Sequence, residues 1–199
     1  KLFLESVIIT MKAGIRYSER YADKADEMAD SETDVKVRDE LRHIAAICRK
    51  VPANPAETLW EAIQSYWILH LLLQIESNGH SMSFGRFDQY LYPYYQQDLA
   101  KGLITREEAL ELVECLMIKC NEVKKPRQWS HTRKMHGYPL FQTLTIGGQN
   151  RDGSDATNDF SYITLDATAS VKLQEPTTIA RIHPKTPSEF VVACSRTLI

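Results

Sequence analysis

Apolar positions in the first thirty residues recur at steps of three and four: Leu4, Val7, Ile8, Met11, Ile15, Ala22, Ala25 and Met28. That period predicts one long amphipathic helix. Residues 34–49 repeat it, with Val37, Leu41, Ile44, Ala45 and Cys48 as the expected buried stripe. A third helix is predicted to start at Asn54, which can accept orphan amide hydrogens, with Pro55 at the first helical position and Glu57 completing a reciprocal cap. Its stretch 66–75 is apolar nearly all round, so it is expected to be covered on several sides. Residues 89–101 predict a helix closed by Gly102 and bent or interrupted at Pro93. Thr105 and Glu108 cap the next helix, whose stripe is Leu110, Val113, Met117 and Cys120.

The pattern changes at Gly137. Residues 140–146 (LFQTLTI) read as a strand, 147–159 as a Gly- and Asp-rich loop, 160–171 as a helix and 177–182 as a second strand. Thr186, Pro187 and Glu189 then cap a last helix. Strand, helix, strand, helix is the sequence form of parallel pairing through a crossover, so the fold class is α/β. Residues 1–136 are mainly helical and 137–199 carry the strand-helix-strand-helix unit. Two parallel strands do not make a stable sheet alone. The chain also opens on Lys1 rather than Met and stops at Ile199, each end lying inside an amphipathic pattern. The expectation is an internal piece of something longer.

Composition narrows the classes. With 199 residues, 43% of them hydrophobic, there is material for one sizeable core. A net charge of -2 provides no broad positive field for a phosphate backbone, and no basic and aromatic repeat of a single-strand binder is present. Nucleic acid is not expected as a partner. The apolar run 68–75 contains His70 and Gln74 and is far shorter than the roughly 20 residues that span a bilayer, so no membrane partner is expected either. The cysteines Cys48, Cys115, Cys120 and Cys194 are scattered, and Cys115 and Cys120 would face different sides of one helix. A reduced cytoplasmic setting without a metal fits them.

Candidate chemistry concentrates in NGHSMSFGRFDQYLYPYY, residues 78–95, where an apolar helix exits. His80 and Ser81 set an imidazole and a hydroxyl side by side, a pair able to grip a hydroxylated substrate and move a proton; a hydrogen-bonded structural histidine is the alternative. Arg86 and Asp88 are expected to lock the loop by a charge-assisted hydrogen bond to each other. The loop GGQNRDGSDATND fits neither a dinucleotide nor a phosphate loop, and as a calcium loop from Asn150 it has Asp155 where Gly is needed. A structured turn with Asp and Asn accepting backbone hydrogens remains. His43 and His70 fall on helical patterns as structural histidines. The basic stretch 124–134, which also holds Trp129 and His131, reads as a solvated loop, with an anionic site as the alternative.

The segments VPANPAETLWEAIQSYW, ESNGHSMSFGRFDQYLYPYY, GYPLFQTLTIGGQNRDGSDATND and ARIHPKTPSEF resemble successive blocks of the glycyl radical enzymes, the pyruvate formate-lyase-like family, over essentially the whole chain. The resemblance implies a parallel-strand α/β barrel of two half-barrels wrapped by helices, in which a glycyl radical passes to a cysteine and the thiyl radical abstracts hydrogen from substrate. It is greatest to the glycerol and propanediol dehydratase branch. On it, His80 and Ser81 match residues that bind substrate hydroxyls, Phe141 matches an aromatic facing the substrate, and Met135 falls at a position that varies with substrate. The radical Gly and Cys are expected beyond Ile199, so no catalytic residue lies within this fragment and alone it is expected to be inert. Cys194, in VVACSRT, is read as a buried structural thiol before the central loop.

The implied activity is a lyase or dehydratase acting on a small hydroxylated substrate. Carbon-carbon cleavage of the formate acetyltransferase (pyruvate formate-lyase) type is the alternative within the family, and a non-catalytic binding or structural module is the alternative outside it. The family further implies an activating enzyme that uses S-adenosylmethionine and an iron-sulfur cluster, a homodimer, and an anaerobic cytoplasm or a bacterial microcompartment.

Overall fold

The computed structural model describes residues 1–77, 79–125, 128–134 and 140–197, which fall into two compact units, Lys1–Leu72 and Leu73–Ile199. The first unit is helical. Helix α1 (Leu2–Ser31) lies along α2 (Val35–Lys50), and α3 begins at Leu59 and runs to Glu76. The residues that α1 buries are Gly14, Ser18, Ala22, Ala25 and Ala29, one face of small side chains at steps of three and four. Ala22 and Ala25 pack on Ala45 and Cys48 of α2 with Ile44 beside them. Small residues let two backbones approach closely, and the hydroxyl of Ser18 uses that proximity to reach the carbonyls of Cys48 at 2.7 Å and Val51 at 2.8 Å.

The predicted stripe of α1 is in the right phase but only part of it is covered: Ala22 and Ala25 are buried, whereas Leu4, Val7, Ile8 and Met11, earlier on the same helical face, are exposed among the described residues. On the outside, Arg42 binds Asp26 and Asp30, and Arg49 binds Asp23 and Asp26. These two arginines hold the Asp26 carboxyl below its usual range.

Helix α3 also starts later than its sequence suggests. Asn54 caps the end of α2 through its amide donating to the Lys50 carbonyl at 3.2 Å, and Thr58 accepts from the Glu61 N–H at 3.3 Å as the helix opens. A hydroxyl three residues before a glutamate is the stronger start signal because both groups sit in the first turn. Leu69, Leu73 and Ile75 remain exposed, so the apolar girth of this helix is not covered by the described residues.

The second unit is a three-stranded parallel sheet in the order β1 (Gly85–Arg86), β2 (Thr143–Gly147), β3 (Thr177–Arg181), with helices packed on one face. Leu144 and Ile146 of β2 are fully buried, and α4 (Phe87–Ala100) and α7 (Asp159–Val171) pack beside that strand. Helix α5 (Arg106–Glu122) packs on α7, burying Val113, Leu116, Met117 and Cys120. Phe160 of α7 is the aromatic hub, with Phe87 at 5.8 Å and Tyr95 at 5.6 Å. Ile179 of β3, paired with Thr145 of β2, is exposed, which leaves the other face of the sheet partly open. Parallel sheets are normally covered on both faces, as expected for part of a larger fold.

Local signals operate as expected at two ends: Thr105 and Glu108 form a reciprocal cap on α5, and Gly102 stands at φ +67 after α4. A cap not predicted from the sequence, Asn158 with Ser161, starts α7. Pro93 lies inside α4 without interrupting it. A short helix, α6 (Trp129–Lys134), replaces the expected irregular stretch, and α8 (Ser188–Thr197) closes the described chain. Thr186 is used in a turn with His183, accepting its N–H at 2.9 Å, rather than as the cap of α8.

Candidate functional site

Three segments lead into the N-terminal ends of the three strands, and each is pinned to its neighbour. Ser81 donates its backbone N–H to the Leu140 carbonyl at 2.7 Å, and Phe84 donates to Thr143 at 2.7 Å. The hydroxyls of Ser83 and Thr143 meet at 2.7 Å. On the other side of β2, Thr177 donates its N–H to the Gln142 carbonyl at 2.9 Å. This zip sets residues 80–81, 141–142 and 175 along one edge of the sheet.

At that edge the His80 ring lies edge-on to the Phe141 ring, with centroids 5.4 Å apart and planes at 73°. His80, Ser81 and Phe141 are all exposed in this chain. Ser81 and Phe141 both adopt φ 58, the left-handed region that costs a non-glycine residue of order 1–3 kcal/mol. Such strain persists only where the surroundings over-determine it. Met135, the fourth sequence candidate, lies outside the described residues, as do Arg127 and His136 of the basic stretch.

What holds Phe141 is Glu175, a carboxylate 2% exposed. It accepts the backbone N–H of Phe141, the N–H of Gln142 at 3.4 Å and the Gln142 side-chain amide at 3.0 Å. The same amide donates to the Cys120 carbonyl at 2.9 Å, tying the cluster to α5. Burial, and then the nearby Glu175 carboxylate, push the Cys120 thiol up, so it is an inert core group. Sequence reasoning missed Glu175 and Gln142. The cue for Glu175 is an acidic residue beside Pro176 ahead of a strand, which looks like any loop glutamate, and that for Gln142 is a polar residue in the run LFQTLTI.

The opposite end of the sheet is structural. Arg86 and Asp88 do not bind each other; both converge on Gly147, where Arg86 donates to the carbonyl at 3.0 Å and Asp88 accepts the N–H at 2.7 Å. Asp88 also accepts the Ser161 hydroxyl at 2.5 Å on the same oxygen, Oδ2. Burial pushes the Asp88 carboxyl up, against the lowering effect of these two hydrogen bonds. The following loop is a structured turn, with Asp152 accepting from Ser154 at 2.9 Å and Asp155 from Thr157 at 2.9 Å. Asp155 also binds His183 at 2.9 Å. His70 is buried against the Tyr66 hydroxyl at 3.1 Å, and His43 lies edge-on to Trp60. Cys194 is half-buried and its thiol is pushed up by burial. Among the described residues no group of three or more His, Cys, Asp or Glu is placed to hold a metal ion, and no helix is long and apolar enough to cross a membrane.

Comparison with known proteins places this architecture. Residues 1–199 match the family described as pyruvate formate lyase-like. A probable dehydratase, YbiW, of Escherichia coli (strain K12) is 42% identical over 196 residues, which is 96% of this chain and 24% of that protein. A solved structure concerning 1,2-propanediol dehydration in Roseburia inulinivorans superposes with a TM-score of 0.96 at 45% identity, over 98% of this chain and 24% of that one. The glycerol-bound form of the B12-independent glycerol dehydratase from Clostridium butyricum gives 0.93 at 47% identity, again over 98% and 24%. The chain thus spans about a quarter of the length of the relatives it matches.

Proposed function

The chain belongs to the pyruvate formate lyase-like family, and on that premise we propose that it forms one wall of the active site of a glycyl radical eliminase, with His80, Ser81 and Phe141 facing a small hydroxylated substrate. The observation that carries this reading is the convergence at one sheet edge of segments about sixty residues apart in sequence, with Ser81 and Phe141 both held in a strained left-handed conformation. Strain of that kind clusters at ligand-binding positions. The relatives named as dehydratases of propanediol and glycerol support the substrate class.

In this reading Ser81 orients a substrate hydroxyl by hydrogen bonding, and His80 holds the neighbouring hydroxyl and delivers the proton with which it departs as water. Phe141 closes the side of the pocket and fixes the His80 ring by the edge-on contact, excluding water that would quench a radical. By resemblance, Met135 falls at a position that varies with substrate. Hydrogen abstraction belongs to a cysteine and a glycine outside these residues. An activating enzyme using S-adenosylmethionine and an iron-sulfur cluster installs the radical, and the whole protein works as a homodimer in an anaerobic cytoplasm or microcompartment.

The test is anaerobic activation of the full-length protein and assay with glycerol, propanediol, hydroxyproline, choline and pyruvate. At least one hydroxylated substrate is expected to lose its leaving group, and His80→Ala is expected to lower kcat by about 100-fold or more with the glycyl radical signal intact. Turnover of pyruvate alone overturns the eliminase reading.

A further inference from the structure

We infer that Glu175 is the positioning residue of this site: a buried carboxylate that holds the Phe141 backbone in its left-handed conformation and thereby sets the ring against which His80 is oriented. The inference rests on the proposed role of the His80, Ser81 and Phe141 edge. Its own support is geometric. Glu175 is 2% exposed, and Phe141 and Gln142 both donate to it. Oε1 takes the Phe141 and Gln142 backbone N–H groups, while Oε2 takes the Gln142 amide. Gln142 is itself fully buried and anchored to the Cys120 carbonyl, so the acceptor is fixed from behind.

A residue at φ 58 directs its N–H and its side chain differently from a strand residue, and Phe141 directly precedes the residue where β2 pairing with the β3 segment begins. In an extended conformation its N–H would turn away from Glu175 and its ring away from His80. The carboxylate therefore selects between two backbone states, and the selected state is the one with the ring contact at 5.4 Å.

Glu175→Gln in the full-length, activated protein is the direct test. The amide has the same shape but cannot serve both sides, because either of its orientations sets two N–H groups against each other. The expected result is a fall in kcat/KM of about tenfold, the scale of one lost buried hydrogen bond, with the glycyl radical content unchanged. In a Phe141→Ala background the same substitution should cause no further fall, since there is no ring left to place. A merely structural carboxylate would show its full effect in both backgrounds, which overturns the inference, as does unchanged kcat/KM in Glu175→Gln. Native-state hydrogen exchange gives a second reading that needs no variant to fold: the Phe141 amide is expected to be protected, and exchange at the free-chain rate overturns the proposal. If the wild-type protein turns over pyruvate alone, the eliminase reading fails while the Glu175 comparison is still read on that turnover.

Discussion

Replacing Asp88 by Ala removes the acceptor on which the C-terminal end of β2 is fastened. Asp88 is fully buried, and its Oδ2 takes both the Gly147 N–H at 2.7 Å and the Ser161 hydroxyl at 2.5 Å. A buried donor left without a partner costs about 1–3 kcal/mol. The Gly147 N–H has a fixed direction and loses its bond outright, whereas the Ser161 hydroxyl can rotate, so the expected loss is about 2–4 kcal/mol. Asp88→Asn separates hydrogen bonding from charge. The Asn oxygen can take the Oδ2 position and keep both bonds, and the amide ends the desolvation of a buried carboxylate, so the change is expected to stay within about 1 kcal/mol.

Hydrogen exchange of the β2 amides reads the opening free energy of this strand directly. Because burial raises the Asp88 carboxyl above its ordinary value of about 3.9, the folded state binds that proton more tightly than the unfolded chain. Its contribution is complete below the ordinary value and is lost as pH rises through the raised one. Asp88→Asn should flatten this part of the profile. A loss under about 1 kcal/mol in Asp88→Ala, or equal damage from Asn and Ala, would refute the reasoning.

Gly147→Ala should destabilise the same strand by about 2 kcal/mol or more, because φ is +68 and a Cβ would stand 3.0 Å from Phe190 and 3.2 Å from the Arg181 carbonyl. Thermal unfolding checks it. Ser18→Ala, which removes the only side-chain donor bridging α1 to the end of α2 at Cys48 and Val51 among the described residues, is expected to cost about 1 kcal/mol in denaturant unfolding. Asp26 is held low by Arg42 and Arg49, so its contribution is present above the ordinary carboxylate value and is lost as pH falls through the depressed one. The α1 and α2 pair should therefore weaken in acid, and Asp26→Asn should lose that pH dependence in a helicity titration.

The helices other than α6, the strands β2 and β3, and the caps at Thr105 and Gly102 were legible in the chain itself, because their signals are local: a period of three to four residues, an alternating run, a hydroxyl three residues before a glutamate. Partnership was not. The first helix was recognisable from its apolar period, and Ala22 and Ala25 of that stripe are buried against α2, yet Leu4, Val7, Ile8 and Met11 on the same face stay exposed, since how much of α1 its partner covers is decided only by the packed pair. Arg86 and Asp88 looked like partners because they are two apart, but in the fold they meet at Gly147, some sixty residues away. His80, Ser81 and Phe141 could be singled out by residue type and resemblance. The left-handed backbones of Ser81 and Phe141, the ring contact and the buried Glu175 behind them exist only once three distant segments enter neighbouring strands, since hydrogen bonds across a parallel sheet are set by register between segments and no local sequence signal carries that register.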